Sequence, residues 1–239
     1  MDNPLISVNI ATYNQLPILK KIIDALGDQE FKDFEIIITD DGSSDGTKEW
    51  ATEQGFNYHW QEDKGFRLAK SKNMGIAVAK GKYFLSLEAD VIPNYRLVGA
   101  YANNLSPNTV ILGVRHDIEG VPTGLDYQAL DKSIVAMDWR MDRLRRLGQL
   151  ERPWRCCSGC NALFPLDKLR EVGGWNEAFT HYGIDDYEVC LRMMLAGCDV
   201  MALTAAYGYH IKHDLRETVD GNVKILEDLE AVYESRNRI

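Results

Sequence analysis

The chain has 239 residues, the size of one large α/β domain, and 45% of them are apolar, enough for a sizeable core. Its formal net charge of -9 argues against nucleic-acid binding, which needs a basic surface. No run approaches the roughly 20 apolar residues that cross a bilayer, and the N-terminus lacks the pattern of a signal peptide. We therefore expect a cytoplasmic protein without a transmembrane segment, with peripheral membrane association left open.

The first half of the chain alternates short, β-branched apolar runs with segments that have apolar residues at helical spacing. Strands are predicted over residues 5–10, 34–39, 56–61, 82–87 and 109–114. Helices are predicted over residues 16–26, 68–79 and 95–104, and the turn-rich run 40–47 opens another. This alternation is typical of parallel βαβ units, and strands that are apolar throughout indicate a sheet covered on both faces.

The second half is less regular. Helices are predicted over residues 127–147, 185–196 and 219–235, and strands over 161–165 and 199–204. The sequence contains no repeat, low-complexity stretch or linker, so we expect one domain over 1–239, with halves of about 1–114 and 115–239. The terminal helix could pack on its own domain, which we favour, or on a second copy, so the oligomeric state stays open.

Five cysteines are present, of which Cys156, Cys157 and Cys160 form C-C-x-x-C. The odd number, without a secretion signal, indicates free thiols. A closed zinc site needs four ligands, and no second paired cluster follows in the sequence. Ordinary packing is therefore favoured over zinc or redox chemistry.

Acidic residues follow two predicted strands at the points where the strands end. Asp40 and Asp41 come after the second strand, and Glu88 and Asp90 come after the fourth. Ligands of parallel sheets bind at the carboxyl ends of strands. Asp40 and Asp41 could simply form a turn, or one of them could accept a hydrogen bond from a nucleotide. The oxygens of E-x-D suit Mg²⁺ or Mn²⁺, which also bind diphosphate.

Two further clusters lie late in the chain. Asp185, Asp186 and Glu188 begin a predicted helix, where the helix dipole favours acids, but three acids are more than capping requires. One of them could be a general base. His210 and His213 follow a strand and are plausible metal ligands, although their spacing does not decide which of them binds.

Together these motifs resemble an inverting glycosyltransferase of family 2 with the GT-A fold. SVNIATYNQ resembles the first strand and its T-Y-N turn, and IIITDDGSSDGT resembles the strand-two signature. GFRLAKSKNMGIAVAKGKYFLSLEAD resembles the stretch that ends in the D-x-D metal motif. GGWNEAFTHYGIDDYEVCLRMMLAGCDV resembles the acceptor-side segment, and the histidine segment resembles the terminal metal ligand of galactosyltransferase-like members. The matched motifs run from Ser7 to His213.

The resemblance implies a Rossmann-like, mostly parallel central sheet flanked by helices, and it assigns roles to residues. Asp186 would be the catalytic base, with Asp185 as its nearest competitor. Asp90 would bind Mn²⁺ or Mg²⁺ together with His210 or His213, and Glu88 is a further candidate. The remaining nucleotide-sugar residues would be Thr12, Tyr13, Asp40, Asp41, Arg67, Lys72, Asn73 and Ala89. The acceptor side would include Asn161, Gly174 and Trp175, with Trp175 stacked on a sugar face unless it belongs to the core.

Three positions depart from the family pattern. Glu88 stands for the first Asp of D-x-D and could contact ribose or metal-bound water instead. Lys72 replaces the common Arg of the A-R-N turn, which keeps the charge but loses the planar fork. Asp185 replaces the usual Glu of the E-D pair.

The activity implied by the resemblance is transfer of a sugar from a nucleoside diphosphate sugar, a UDP-sugar by likeness to the family, to an acceptor hydroxyl. The acceptor would be a surface glycan, a polysaccharide or a lipid-linked sugar. A nucleotidyltransferase would need a Gly-rich, basic loop near the N-terminus, which residues 11–16 lack. A non-catalytic carbohydrate-binding module would not need all the acidic clusters and histidines together.

Overall fold

The computed structural model describes residues 3–213 and 220–236. The strands of this part are β1 (Ile6–Thr12), β2 (Phe34–Asp40), β3 (Asn57–Trp60), β4 (Tyr83–Glu88), β5 (Val91–Pro93), β6 (Thr109–Ile118), β7 (Ile134–Ala136), β8 (Asn161–Pro165) and β9 (Asp199–Ile211). Its α-helices are α1 (Leu16–Gly27), α2 (Thr47–Glu53), α3 (Leu68–Val78), α4 (Leu97–Ala102), α5 (Tyr127–Lys132), α6 (Met141–Leu144), α7 (Leu166–Glu171), α8 (Asp185–Leu195) and α9 (Asp220–Arg236). Short 3₁₀ helices cover Leu147–Gln149 and Pro153–Cys156.

The strands form one sheet in the order β3-β2-β1-β4-β8-β6-β9-β5, with β7 added to β6. The four strands β1 to β4 pair in parallel with one another, as the βαβ pattern predicts. Strand β8 inserts antiparallel between β4 and β6, and β6 pairs in parallel with β9. Because β8 joins the two halves into one sheet, the chain folds as a single domain, and the predicted α/β class is confirmed.

The core lies on both faces of the central strands. On β4, Phe84 packs in the cluster that contains α8, whereas Leu85 packs in the cluster that contains α1. On β8, Phe164 packs in the cluster that contains α8, and Leu163 packs in the cluster that contains α1. This alternation follows from the two-residue period of a strand. It explains why the central strands are apolar throughout rather than alternating with polar residues.

Most predicted elements are present with small shifts at their ends. Strand β9 extends to Ile211, beyond the predicted end at residue 204, and β5 was not predicted. The terminal helix packs on its own domain through α8, as favoured, and its predicted first residue, 219, lies outside the described residues. In the part of the chain that the structure covers, no helix has both the length and the apolar character needed to span a membrane.

The prediction of one long helix over residues 127–147 is wrong, because two buried charges interrupt it. Arg140 is 1% exposed, and its guanidinium donates to Asp138 at 2.6 Å. It also donates to the carbonyls of Gly113 and Cys156. Residues two apart lie on different sides of a helix, so a continuous helix could not bury both Asp138 and Arg140. The segment instead divides into α5, the edge strand β7 and α6.

We expect Arg140→Met to destabilise the fold strongly. The substitution leaves the buried Asp138 carboxylate without its cation, which costs about 3–5 kcal/mol of unfolding free energy. The matched control is Arg145→Met, because the side chain of Arg145 is 67% exposed, and its effect should stay within about 0.5 kcal/mol. Urea denaturation measures both. Equal midpoints for the two variants would show that the pair does not hold this segment.

Candidate active site

A cavity of about 530 Å³ opens at the carboxyl ends of β1 and β4, a size typical of small-molecule sites. The strand register explains its position, since Thr12 on β1 is level with Asp40 on β2, and Ala11 is level with Glu88 on β4. Seven of the predicted donor-side and metal residues line the cavity: Thr12, Tyr13, Asp41, Glu88, Ala89, Asp90 and His213. Residues that the sequence did not predict complete the lining: Gln15, Ile18, Phe66, Tyr182 and Ile211 among them.

Asp40 and Asp41 have different roles although they are adjacent. Asp40 is fully buried and does not line the cavity; its carboxylate accepts the N–H groups of Gly42 and Ser43 and the hydroxyl of Tyr58. The turn interpretation therefore applies to Asp40. Asp41 faces the cavity, and burial raises the pKa of its carboxyl group although two donors partly oppose the shift.

Arg67 and Gln61 hold Asp41 in place. The backbone N–H of Arg67 donates to Asp41 Oδ2 at 2.8 Å, and the side-chain amide of Gln61 donates to Oδ1. The guanidinium of Arg67, predicted to hold the nucleotide, donates to the carbonyl of Glu62, and the cavity is lined by its neighbours rather than by Arg67 itself. In the structure Arg67 therefore supports Asp41 through its backbone N–H rather than lining the cavity with its side chain.

Asp90, His210 and His213 bring their ligand atoms within 4.8 Å of one another. Nε2 of His213 lies 3.4 Å from Asp90 Oδ2, and Nε2 of His210 lies 3.7 Å from the same oxygen. Both histidines therefore face Asp90. The sequence predicted that one or the other would bind the metal, whereas the structure brings both of them to the cluster. Glu88, a further candidate metal ligand, lies outside this cluster.

The cluster fits a divalent cation. Asp90 Oδ1 and His210 Nε2 are buried and make no hydrogen bond among the described residues, although buried polar atoms are normally paired. Burial alone would raise the pKa of Asp90, but the two histidines outweigh it and hold the pKa well below the usual range. An ionised carboxylate beside two imidazole nitrogens is a suitable donor set for a transition-metal ion.

Asp117 orients one of the two rings, a contact that sequence spacing could not show. Its Oδ1 lies 2.7 Å from His210 Nδ1, because the parallel register of β6 and β9 places the two residues level. A carboxylate at one ring nitrogen fixes the tautomer and leaves the other nitrogen available to a metal.

Lys72 connects the cavity wall to the predicted base. Its side chain is fully buried, and Nζ lies 2.8 Å from Glu88 Oε1 and 3.1 Å from Asp186 Oδ1. Burial disfavours the ammonium form, but Asp186 and Glu88 outweigh it and raise the pKa of Lys72 well above its ordinary value. Lys72 is therefore a cation that positions two carboxylates rather than part of the cavity lining.

Asp186 and Asp185 differ in protonation. Burial would raise the pKa of Asp186, but Lys72 and hydrogen bonds from the N–H of Gly159 at 2.7 Å and the indole of Trp175 at 2.9 Å lower it. For Asp185, burial and the neighbouring Asp186 charge outweigh the attraction of Lys72 and a backbone hydrogen bond, and they raise its pKa to about 8. At neutral pH Asp186 is ionised and Asp185 retains its proton, which separates the two candidate bases.

Trp175 does not offer a face to a sugar. It is 1% exposed and packs against Phe84 and Phe164, with ring centroids 6.2 and 5.3 Å away. Its indole N–H is directed at Asp186. The core interpretation of Trp175 is therefore correct, and the ring holds the predicted base in place.

Three other predicted binding residues are also internal. Asn73 makes two hydrogen bonds of 2.8 Å to the backbone of Trp175, one as donor and one as acceptor. Gly174 has a φ of +68° and packs against Asn73, which leaves no room for a side chain. Asn161 is fully buried and donates to the carbonyls of Val114 and Ala206. Asn73 and Gly174 thus support the segment of Trp175, whose indole donates to Asp186, whereas Asn161 joins β8 to the backbone of β6 and β9.

Comparison with known proteins identifies the family. The family model described as glycosyl transferase family 2 matches residues 7–173, and the model described as the N-terminal domain of galactosyltransferase matches residues 143–214. The chain belongs to glycosyl transferase family 2.

Several curated relatives are similar to this family 2 chain over most of its length. Chondroitin synthase of Escherichia coli is 29% identical over 86% of the chain but over 34% of its own length. Validoxylamine A glucosyltransferase of Streptomyces hygroscopicus subsp. jinggangensis is 26% identical over 93% of the chain and 58% of its own length. The chain thus spans between a third and somewhat more than half of these curated relatives.

Solved structures confirm the GT-A fold of this family 2 chain. TarS 1–349 of S. aureus in complex with UDP-GlcNAc superposes with a TM-score of 0.67, at 18% identity, over 94% of the chain and 65% of that structure. Mannosyltransferase PcManGT of Pyrobaculum calidifontis, in complex with GDP-Man and Mn²⁺, gives a TM-score of 0.58 at 19% identity, over 87% of the chain and 57% of that structure.

The five cysteines of this family 2 protein are buried and carry free thiols. Cys156, Cys157 and Cys190 belong to the same hydrophobic cluster as Trp175, which agrees with a packing role for two of the three cysteines in C-C-x-x-C. A hydrogen bond with Cys190, together with burial, raises the pKa of the Cys157 thiol well above its ordinary value. A protonated, buried thiol is a poor nucleophile and metal ligand.

The terminal helix supports the loop before the two candidate bases, Asp185 and Asp186, a contact that the sequence did not indicate. The Asn222 side-chain amide, on α9, donates to the carbonyls of His181, Tyr182 and Gly183 at 2.8, 3.2 and 3.0 Å. This loop carries Tyr182 into the cavity lining and leads through Ile184, at φ +63°, to the first turn of α8. Asn222 therefore fixes the backbone immediately before Asp185 and Asp186.

We expect Asp90→Ala to abolish Mn²⁺ binding by the full chain, measured by calorimetry. Asp117→Asn should weaken it by about 10- to 100-fold, because the carboxylate that orients His210 is lost. Asp142→Asn is the matched control, since its side chain is 87% exposed and far from the cluster in sequence. Unchanged Mn²⁺ affinity in Asp90→Ala would remove the cluster as the metal site.

We expect Asn222→Asp to loosen the loop before α8, because a carboxylate of the same shape cannot donate to three carbonyl oxygens. Amide hydrogen exchange should accelerate over residues 181–186, and the unfolding free energy should fall by about 1–3 kcal/mol. Asn104→Asp is the matched control, since its amide makes one exposed hydrogen bond, to Ala100. Equal protection of residues 181–186 in both variants would contradict the role of Asn222.

Proposed function

We propose that the chain transfers a sugar from a UDP-sugar to an acceptor hydroxyl, with inversion at the anomeric carbon. The observation that carries the proposal is the linkage of an ionised Asp186, through Lys72, to Glu88 on the wall of a cavity that also contains the Asp90 and histidine cluster. A proton acceptor, a cation site and a nucleotide-sized cavity thereby adjoin one another. Metal-assisted sugar transfer uses these three elements together.

The nature of the donor is supported by the similar structures. TarS is known in complexes with UDP and with UDP-GlcNAc, and PcManGT in a complex with GDP-Man and Mn²⁺. In the present chain, Asp41 offers an acceptor to the base or ribose at the cavity wall. Thr12 lines the same wall, and its Oγ1 is buried without a hydrogen-bond partner among the described residues.

Of the two predicted cations, Mn²⁺ fits the cluster better than Mg²⁺. Asp90, His210 and His213 would hold it, and nitrogen ligands suit Mn²⁺ better than Mg²⁺, which prefers oxygen alone. When bound, the cation would neutralise negative charge on the diphosphate leaving group. That neutralisation matters on a chain with a net charge of -9.

The chain's own residues would move one proton. Asp186 accepts it from the acceptor hydroxyl while the new bond to the anomeric carbon forms and the bond to the diphosphate oxygen breaks on the opposite side. Lys72, Trp175 and Gly159 hold the Asp186 carboxylate and keep it ionised. Asp185, with a pKa of about 8, is protonated at neutral pH and is a poor acceptor. No covalent intermediate on the enzyme is needed.

The acceptor is proposed to be a growing glycan or a lipid-linked sugar, supported by the likeness to chondroitin synthase. Residues of about 1–114 would supply the nucleotide-sugar side and residues of about 115–239 the acceptor side. Asp41 and Glu88 belong to the first half and Asp186 to the second, which supports this division. His210 and His213 come from the second half but join the donor side through Asp90.

We expect Asp186→Asn to reduce sugar transfer by about 10²- to 10⁴-fold, because an amide of the same shape cannot accept the proton. Donor binding should persist, since Asp186 lies outside the cavity lining. The matched control is Asp185→Asn, which replaces an acid that is already neutral and should retain much more activity. UDP release and NMR of the product's anomeric centre measure rate and stereochemistry.

Three results would contradict the proposal. Near-normal turnover by Asp186→Asn would remove the base. Retention of the anomeric configuration would exclude the inverting mechanism. Release of pyrophosphate instead of UDP would indicate a nucleotidyltransferase.

A further inference from the structure

An exposed apolar row lies on the edge strand β7 and its continuation. Val135, Met137 and Trp139 are 51%, 58% and 62% exposed, at alternate positions. Of the residues before and between them, Ile134 packs against the core and Asp138 is buried, whereas Ala136 is exposed. The strand ends at Ala136 and Trp139 lies in the turn that follows it, so the three exposed apolar side chains lie within five residues of one another at this edge of the sheet.

Such a grouping of exposed large apolar side chains is unusual for this molecule. The other large apolar side chains that are strongly exposed in the described residues are spread over the chain, at Tyr13, Trp60, Val121, Tyr182, Val223 and Val232. Single exposed apolar residues need no explanation, but a contiguous group marks an interaction surface.

The same segment is basic on an acidic chain. Residues 132–146 contain five Lys and Arg and two Asp, a local charge of +3, whereas the whole chain carries -9. Arg140 and Asp138 neutralise each other inside the fold. Lys132, Arg145 and Arg146 are exposed to solvent. The excess positive charge of the segment is therefore on the surface.

The segment adjoins the candidate metal cluster. Strand β7 pairs with β6 at Asp117 and Ile118, and Asp117 contacts His210. The apolar and basic side chains thus lie along the strand next to the one that orients a predicted metal ligand.

We propose that this surface, formed by Val135, Met137, Trp139, Lys132, Arg145 and Arg146, binds an anionic lipid membrane. Apolar side chains with an indole among them insert at the boundary between headgroups and acyl chains, while neighbouring cations are attracted to anionic headgroups. A second copy of the chain fits less well, because a symmetric interface would place each basic segment against its own copy. The charge complementarity thus selects the anionic lipid surface.

The consequence of this binding rests on the proposed function, although the binding itself does not. A membrane beside the metal cluster would present a lipid-linked acceptor to the active site. Vesicle binding is measured without donor or acceptor, so the failure of either proposal can be recognised independently.

The test is co-sedimentation of the full chain with phosphatidylcholine vesicles that do or do not contain phosphatidylglycerol. We expect binding to the anionic vesicles, weakened by added salt. Arg145→Glu with Arg146→Glu should reduce partitioning by at least roughly fivefold for each arginine. Met137→Ser with Trp139→Ser should reduce it as well, and brominated lipids should quench the fluorescence of the wild-type chain more than that of this variant.

Matched controls keep chemistry and exposure similar. Trp60→Ser removes another exposed indole, which is 40% exposed, and Lys80→Glu with Lys224→Glu makes the same change in charge at exposed positions elsewhere. Both should bind anionic vesicles as the wild type does. All variants should retain the wild-type unfolding temperature, because the substituted side chains are exposed.

The proposal is overturned if the wild type does not bind anionic vesicles, if it binds neutral vesicles equally well, or if the control variants lose binding to the same extent. It is also overturned if light scattering shows a dimer that Met137→Ser with Trp139→Ser dissociates, since the surface would then join two copies.

Discussion

The arrangement of the candidate active site depends on one buried ammonium group. Lys72 is fully enclosed, and a charge in that position is stable only when it is paired. Glu88, at the end of β4, and Asp186, at the start of α8, supply the two partners. The Trp175 ring, whose centroid lies 5.1 Å from Nζ, encloses the cation on another side. The pairing therefore connects the cavity wall to the predicted base across 98 residues of sequence.

The same ammonium explains why the carboxylates of this cluster are not equivalent. One cation stabilises the charges of Glu88 and Asp186, and Asp186 receives two additional hydrogen-bond donors. Asp185 is buried beside them, and Lys72 and a backbone hydrogen bond compensate its charge only in part, so its ionisation is disfavoured. The order of ionisation is thus set by the number of donors around each carboxylate, and the assignment of the proton acceptor follows from that order.

The sequence could predict the part of the site that strand geometry determines. The acids after β2 and β4 come together because parallel strands end at one edge, and both Glu88 and Asp90 reach the cavity. Sequence could not decide which of Asp40 and Asp41 faces the cavity, since adjacent side chains point in different directions and either residue suits a turn. Nor could it show Asp117, whose role comes from the register of β6 with β9. The prediction of one long helix over 127–147 was wrong because amphipathic spacing does not reveal that Asp138 and Arg140 are buried as a pair.

The sequence motifs were least accurate for the residues that pack behind the proposed base. Asn73, Gly174 and Trp175 occur in motifs that resemble ligand-binding segments, yet they contact one another rather than the cavity. This packing is itself held from outside: Glu230 on α9 accepts hydrogen bonds from Trp154, Arg155 and Arg152. One buried carboxylate thereby fastens the terminal helix to the 3₁₀ helix that precedes Gly159, a donor to Asp186. Residues that resemble a binding motif can thus act by holding the proposed base ionised and in place, and the terminal helix supports the candidate site although it does not reach the cavity.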